Sequence, residues 1–240
     1  MPVEVCVNSL ESALIAQKAG ADRLELCVEL GVGGVTPSYG LMRSVKEEIA
    51  IPVHVLIRPR SGDFNYSESE FQCMKNNIAL CSDLGFEGVV SGILKEDCTV
   101  DIKRTAVLKE LSKGMFFTFH RAFDWVNDPL ESLEVLEALR VDCILTSGKQ
   151  TTALDGIDLL QKLHHKARHC SIMPGGGVNA KNVIAFKERG FTSIHFSGMQ
   201  IQQKEPLPNK VTMFSGSYLK DAVSLEPDFK KIQAVVATFK

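Results

Sequence analysis

Residues 3–27, VEVCVNSLESALIAQKAGADRLELC, decide the fold. They hold a short Val-rich run at 3–7, a helix-spaced stretch over 9–20, and a second short apolar run at 23–28. Short runs rich in β-branched residues read as strands, whereas apolar residues returning every three or four positions read as a helix. Ser9, three residues before Ser12 and two before Glu11, is placed to cap that helix, and Gly20 to end it in a left-handed turn. The unit is strand, helix, strand.

Outward from it the unit repeats. Apolar runs at 53–57, 88–91, 116–119, 142–146, 170–173 and 193–197 supply six further strands, and helical spacing recurs over 38–50, 67–84, 101–112, 129–139, 155–166, 179–189 and 227–239. Ser67 and Glu70 match a capping box, Pro129 and Pro227 suit first helical turns, and Gly85 and Gly190 stand just past helix ends. Eight alternations in 240 residues predict an α/β fold, a (β/α)8 TIM barrel forming a single domain over 1–240. A doubly wound open sheet is the competing architecture. The unusual polar residues decide between them, because they fall at the ends of many strands rather than around one switch point.

Composition narrows the function. A formal charge of −2 leaves no basic face for nucleic acid, and no apolar stretch approaches bilayer length, so neither a nucleic acid nor a membrane is expected as partner. Seven cysteines, odd in number and widely spaced without a Cys-x-x-Cys, point to a reducing, cytoplasmic setting. A small ligand is the expected partner.

Candidate site residues follow from period two along strands. Glu4 and Cys6 share one face of the first strand, and Glu25 and Cys27 share one face of the second. If Val3 and Val5 face the helices, both Glu-x-Cys pairs face the barrel interior. The cysteines could be small buried hydrophobes or a soft-metal pair. A buried carboxylate needs a partner, and Arg58, Arg60 and His120 are the expected ones. A structural ion-pair network would satisfy the same need. Thr118 and His120 are placed inward and Arg121 outward, with Asp124 in the following loop placed to orient His120. Glu25, Arg58, His120 and Asp124 are thus catalytic candidates for a barrel enzyme. Gly175, Gly176 and Gly177 after the seventh strand, Ser197 and Gly198 after the eighth, and Ser147 and Gly148 after the sixth could cradle a phosphate or other small anion with Arg60. His195 is a further pocket candidate. His164, His165 and His169 read as a solvated helix end, and Cys73, Cys81, Cys98, Cys143 and Cys170 as packing or surface thiols.

The motifs Glu-Val-Cys at 4–6, Gly-Ala-Asp-Arg-Leu-Glu-Leu-Cys at 20–27, Gly-Gly-Val-Thr-Pro-Ser at 33–38, Ile-Arg-Pro-Arg-Ser-Gly-Asp-Phe-Asn-Tyr at 57–66, Thr-Phe-His-Arg-Ala-Phe-Asp at 118–124, Leu-Thr-Ser-Gly at 145–148 and Met-Pro-Gly-Gly-Gly at 173–177 resemble the copper homeostasis family CutC. The resemblance runs from residue 3 to about 198. It implies a cytoplasmic TIM-barrel homo-oligomer with a role in copper handling, and Cu(I) held by Cys6 and Cys27. No enzymatic activity is assigned to the family. An enzyme acting on a small anionic or phosphorylated substrate is the alternative. The stretch 201–217 departs from the family pattern, with a short loop after the eighth strand and no arginine-containing segment.

Overall fold

Strand and helix alternate around a barrel in the computed structural model, which describes residues 2–203 and 223–240. The strands are β1 (Val3–Val7), β2 (Arg23–Leu26), β3 (Val53–Leu56), β4 (Gly88–Ser91), β5 (Phe116–Phe119), β6 (Cys143–Thr146), β7 (Ser171–Pro174) and β8 (Ile194–Phe196). All pair in parallel in the order β7-β6-β5-β4-β3-β2-β1-β8, and a parallel bridge between Gly175 and His195 joins the two ends. The TIM barrel read from the sequence is thereby present.

Between the strands run α1 (Leu10–Lys18), α2 (Tyr39–Glu48), α3 (Glu68–Asp83), α4 (Ile102–Leu111), α5 (Pro129–Ala138), α6 (Ile157–Lys166), α7 (Val183–Glu188) and α8 (Phe229–Phe239). The caps form as their residues dictate. Ser9 and Ser12 close one capping box, Ser67 and Glu70 another, and Asp128 caps α5 with Pro129 in its first turn. Gly20, Gly85 and Gly190 adopt the positive φ that ends a helix.

Parallel strands covered on both faces bury both sets of side chains. Val3, Val5, Leu24, Leu26, Val53 and Val55 pack outward against the helices in one large apolar core. Inside the barrel the apolar groups form two small clusters, Cys6–Cys27–Leu56–Val90 and Cys143–Leu145–Met173. The charged and imidazole side chains lie among them. Glycine on β4 makes room for one: a Cβ at Gly88 would lie 2.4 Å from the His54 ring.

Two features differ from the sequence reading. His120 is followed by a 3-10 turn over Arg121–Trp125. Beyond β8 a two-residue loop leads into Met199–Gln203 (β9), which pairs antiparallel with Val223–Pro227 (β10), so strand pairing stands in the connection to α8. Apolar and polar residues alternate at 199–202 and at 223–226, which is the strand signal there. Residues 204–217 of the departing stretch lie outside the described residues.

Candidate metal and ligand site at the barrel mouth

The β1–β2–β8 wall is set by register. Glu4 stands level with Arg23 on one side and His195 on the other, and Cys6 stands level with Glu25. Glu4 is completely buried. Arg23 Nε approaches its Oε2 at 2.5 Å, and His195 Nδ1 lies 2.8 Å from its Oε1. Burial alone would raise the Glu4 pKa, but the Arg23 charge and the His195 contact outweigh it and hold the carboxyl well below the usual range.

Glu25 lies one step nearer the mouth, with an oxygen 3.8 Å from His195 Nε2. Burial pushes its pKa up. His195 is likewise raised, the carboxylates of Glu25 and Glu4 prevailing over burial. Above them the sulfurs of Cys6 and Cys27 are 3.3 Å apart. The hydrogen bond to Cys27, then burial, raises the Cys6 thiol well above its ordinary value. Cys6, Cys27 and Glu25 each present a ligand atom within 4.8 Å of the others, and Glu4, Glu25 and His195 form a second such trio.

The facing wall comes from β3, β5 and their loops. Arg58, 5% exposed, donates from Nη1 to the carbonyls of Val32 and Gly34 and from Nη2 to that of Gly62. Its guanidinium lies over the Phe64 ring. His120, also 5% exposed, packs on that ring from another side, and its Nδ1 accepts the Ala122 N–H at 3.1 Å. Burial and then the Arg58 charge lower its pKa to about 3, so it is neutral at physiological pH. Between the walls opens a cavity of about 430 Å³, lined by Cys6, Glu25, Arg58, His120 and His195 among others.

Several expected contacts are replaced. Neither Arg58 nor Arg60 serves the buried glutamates: Arg58 is taken up by carbonyls, and Arg60 pairs with Asp63 and Glu70 at the surface. His120 does not meet them either. The partner is Arg23, absent from the sequence candidates although period two puts it on the same face as Glu25 and Cys27. His54, buried at 3.9 Å from Glu4, is likewise absent from those candidates. Burial, then Arg23, lowers its pKa to about 4.

Asp124 does not orient His120. It turns toward the end of β6 and accepts bonds from Thr146 Oγ1 at 2.5 Å, the Ser147 N–H at 3.0 Å and Arg121 Nε at 2.7 Å. The 3-10 turn supplies the Ala122 N–H to His120 instead, and it ends the strand parity, so Arg121 lines the cavity rather than the outer face. Of the expected anion cradle, Gly176, Gly177 and Ser197 line the cavity. Arg60, Ser147, Gly148, Gly175 and Gly198 are not in its wall. Ser147 is bound up with Asp124, a Cβ at Gly148 would meet the Gly156 carbonyl, and one at Gly175 would meet Leu145.

Known proteins resemble this chain in both sequence and shape. A CutC family protein of Proteus mirabilis is 47% identical over 195 residues, covering 81% of this chain and 78% of its own. One of Pasteurella multocida is 41% identical over 238 residues, covering 98% and 97%. The crystal structure of the putative copper homeostasis protein CutC from Streptococcus agalactiae superposes with a TM-score of 0.77 at 33% identity, covering 81% of this chain and 97% of that one. The CutC family model itself matches residues 1–200. The chain belongs to the CutC family.

Proposed function

We propose that this protein takes part in copper homeostasis by binding Cu(I) through Cys6 and Cys27 at the barrel mouth. The observation that carries the reading is the 3.3 Å between the two sulfurs. Two metal–sulfur bonds of about 2.3 Å span at most roughly 4.6 Å, so one ion can touch both thiols without backbone movement. Thiolates select soft ions such as Cu(I) over magnesium or calcium, and the Glu25 oxygen is near enough to complete or shield the site. The ion is cargo here, and the cavity is its entry. A cytoplasmic location fits the seven cysteines, all of which are free thiols.

Binding must displace protons from the sulfurs. Because the Cys6 thiol titrates high, apparent Cu(I) affinity rises with pH over the neutral range and proton release accompanies loading. The test is competition between the protein and a chromogenic Cu(I) chelator. The Cys6→Ala, Cys27→Ala double variant is expected to lose at least about a hundredfold in affinity. Unchanged affinity, or affinity independent of pH, removes these sulfurs from the site.

A further inference from the structure

The cavity is far larger than one ion needs: about 430 Å³, where a single water occupies about 30 Å³ in the liquid. Its size falls within the range of pockets that hold small organic molecules. Leu30, Val32, Leu56 and Trp125 give it an apolar side. On the β3–β5 wall the one carboxylate, Asp124, is already engaged by Arg121, Thr146 and Ser147, while Arg58 and His120 each keep one donor without a partner.

Arg58 carries a full positive charge that is almost completely buried, and among the described residues no carboxylate lies within ion-pair distance of it. Three carbonyls solvate the guanidinium without neutralising it, which leaves a buried charge uncompensated. Its Nε has no partner. His120 presents the same demand from the next element. With Nδ1 accepting the Ala122 N–H, the ring proton of the neutral imidazole sits on Nε2, and that atom is buried without a partner. A buried donor left unpaired is costly, and two of them, one on an uncompensated cation, call for an acceptor that is itself negative.

We propose that the barrel mouth binds a small organic oxyanion, a carboxylate or a phosphate ester, whose acid group is received by Arg58 and His120 while its body spans the cavity toward Glu25 and Cys6. Arg121, lining the rim but paired with Asp124, adds positive potential at the entrance rather than the primary contact. The inference is independent of the Cu(I) reading, since none of its donors is a sulfur.

The test uses the full-length protein with a copper chelator present, so its outcome does not depend on metal. Phosphoenolpyruvate, pyruvate, glycerol 3-phosphate and inorganic phosphate are titrated by calorimetry and thermal shift, the first three separating carboxylate from phosphate recognition. At least one organic anion is expected to bind, and more tightly than inorganic phosphate because of the apolar wall. His120→Phe keeps the packing on Phe64 and removes the donor. Its affinity is expected to fall roughly tenfold to a hundredfold, and His120→Gln, which returns an N–H near the Nε2 position, to restore most of it. Arg58→Lys, which keeps the charge but loses the fork, serves if His120→Phe does not fold and is expected to weaken binding by a similar factor. The proposal is overturned if no probe binds, if inorganic phosphate binds as well as every organic anion, or if the variants bind as the wild type does.

Discussion

On the β1–β2–β8 side of the barrel, Glu4 meets Arg23 and His195, so its charge is paired within the wall. On the β3–β5 side, Arg58 meets three carbonyls and no carboxylate, and His120 meets one backbone N–H. The two walls bury similar groups with opposite logic. A balanced network resists change because removing one member strands the others, whereas an unbalanced wall retains capacity for something from outside. The difference teaches where to look for structure and where for ligand.

The sharpest way to break this contrast is Glu4→Gln. The substitution keeps the shape and strands Arg23, so unfolding in urea is expected to show a loss of about 3–5 kcal/mol. Adding Arg23→Met should recover part of it, because an apolar replacement removes the stranded charge. A loss below about 1 kcal/mol would mean that Glu4 and Arg23 do not anchor this wall.

The next test is acid. His54 and His120 are held neutral by burial, with pKa values of about 4 and about 3 against 6.5 in an unfolded chain. Between those limits the unfolded state binds more protons, so stability is full above 6.5 and falls as the pH drops toward 3–4. The full loss is on the order of 3 kcal/mol for His54 and about 5 kcal/mol for His120. Glu4, with its carboxyl pKa lowered, adds to the loss once the pH passes below its unfolded value of 4.5. His195 runs the other way: its raised pKa gives stability present below 6.5 and lost as the pH climbs past it. Unfolding curves from pH 7.5 to 4 should therefore fall with acid, and His120→Phe should flatten the fall. An unchanged slope in that variant would show that His120 is not kept neutral in the folded protein.

How much of this was legible in the sequence follows from what is local. The caps at Ser9 and Ser67, the helix-ending glycines and the period-two strands are short-range patterns, and the barrel and the inward faces of Glu4, Cys6, Glu25, Cys27, His120 and His195 could be read from them. Pairing is not local. That Glu4 meets Arg23 depends on cross-strand register, and Arg58 is captured by carbonyls at 32, 34 and 62 whose positions belong to loop conformations. Arg121 departs from strand parity because a 3-10 turn starts immediately after His120. Arg23 and His54 are legible: parity places both inward, and two buried carboxylates require partners of that kind.

The smallest expected effect comes from the two arginines that flank Pro59. Arg58 and Arg60 look equivalent in sequence, and both were candidates to meet an acid. Strand parity alone would give them the same face, but the loop after β3 turns Arg60 out to Asp63 and Glu70 at the surface, away from the cavity. Surface pairs of this kind contribute little because water competes for both partners and two long side chains lose freedom to meet. Arg60→Gln is therefore expected to leave the urea midpoint, and binding of the anions tested at Arg58, unchanged within error. Arg58→Lys alters both the carbonyl contacts and the wall of the cavity, so the same probes should respond to it. If Arg60→Gln instead weakened anion binding as much as Arg58→Lys, the attraction would come from diffuse positive potential at the rim. The unpartnered donors inside the barrel would then not be its source.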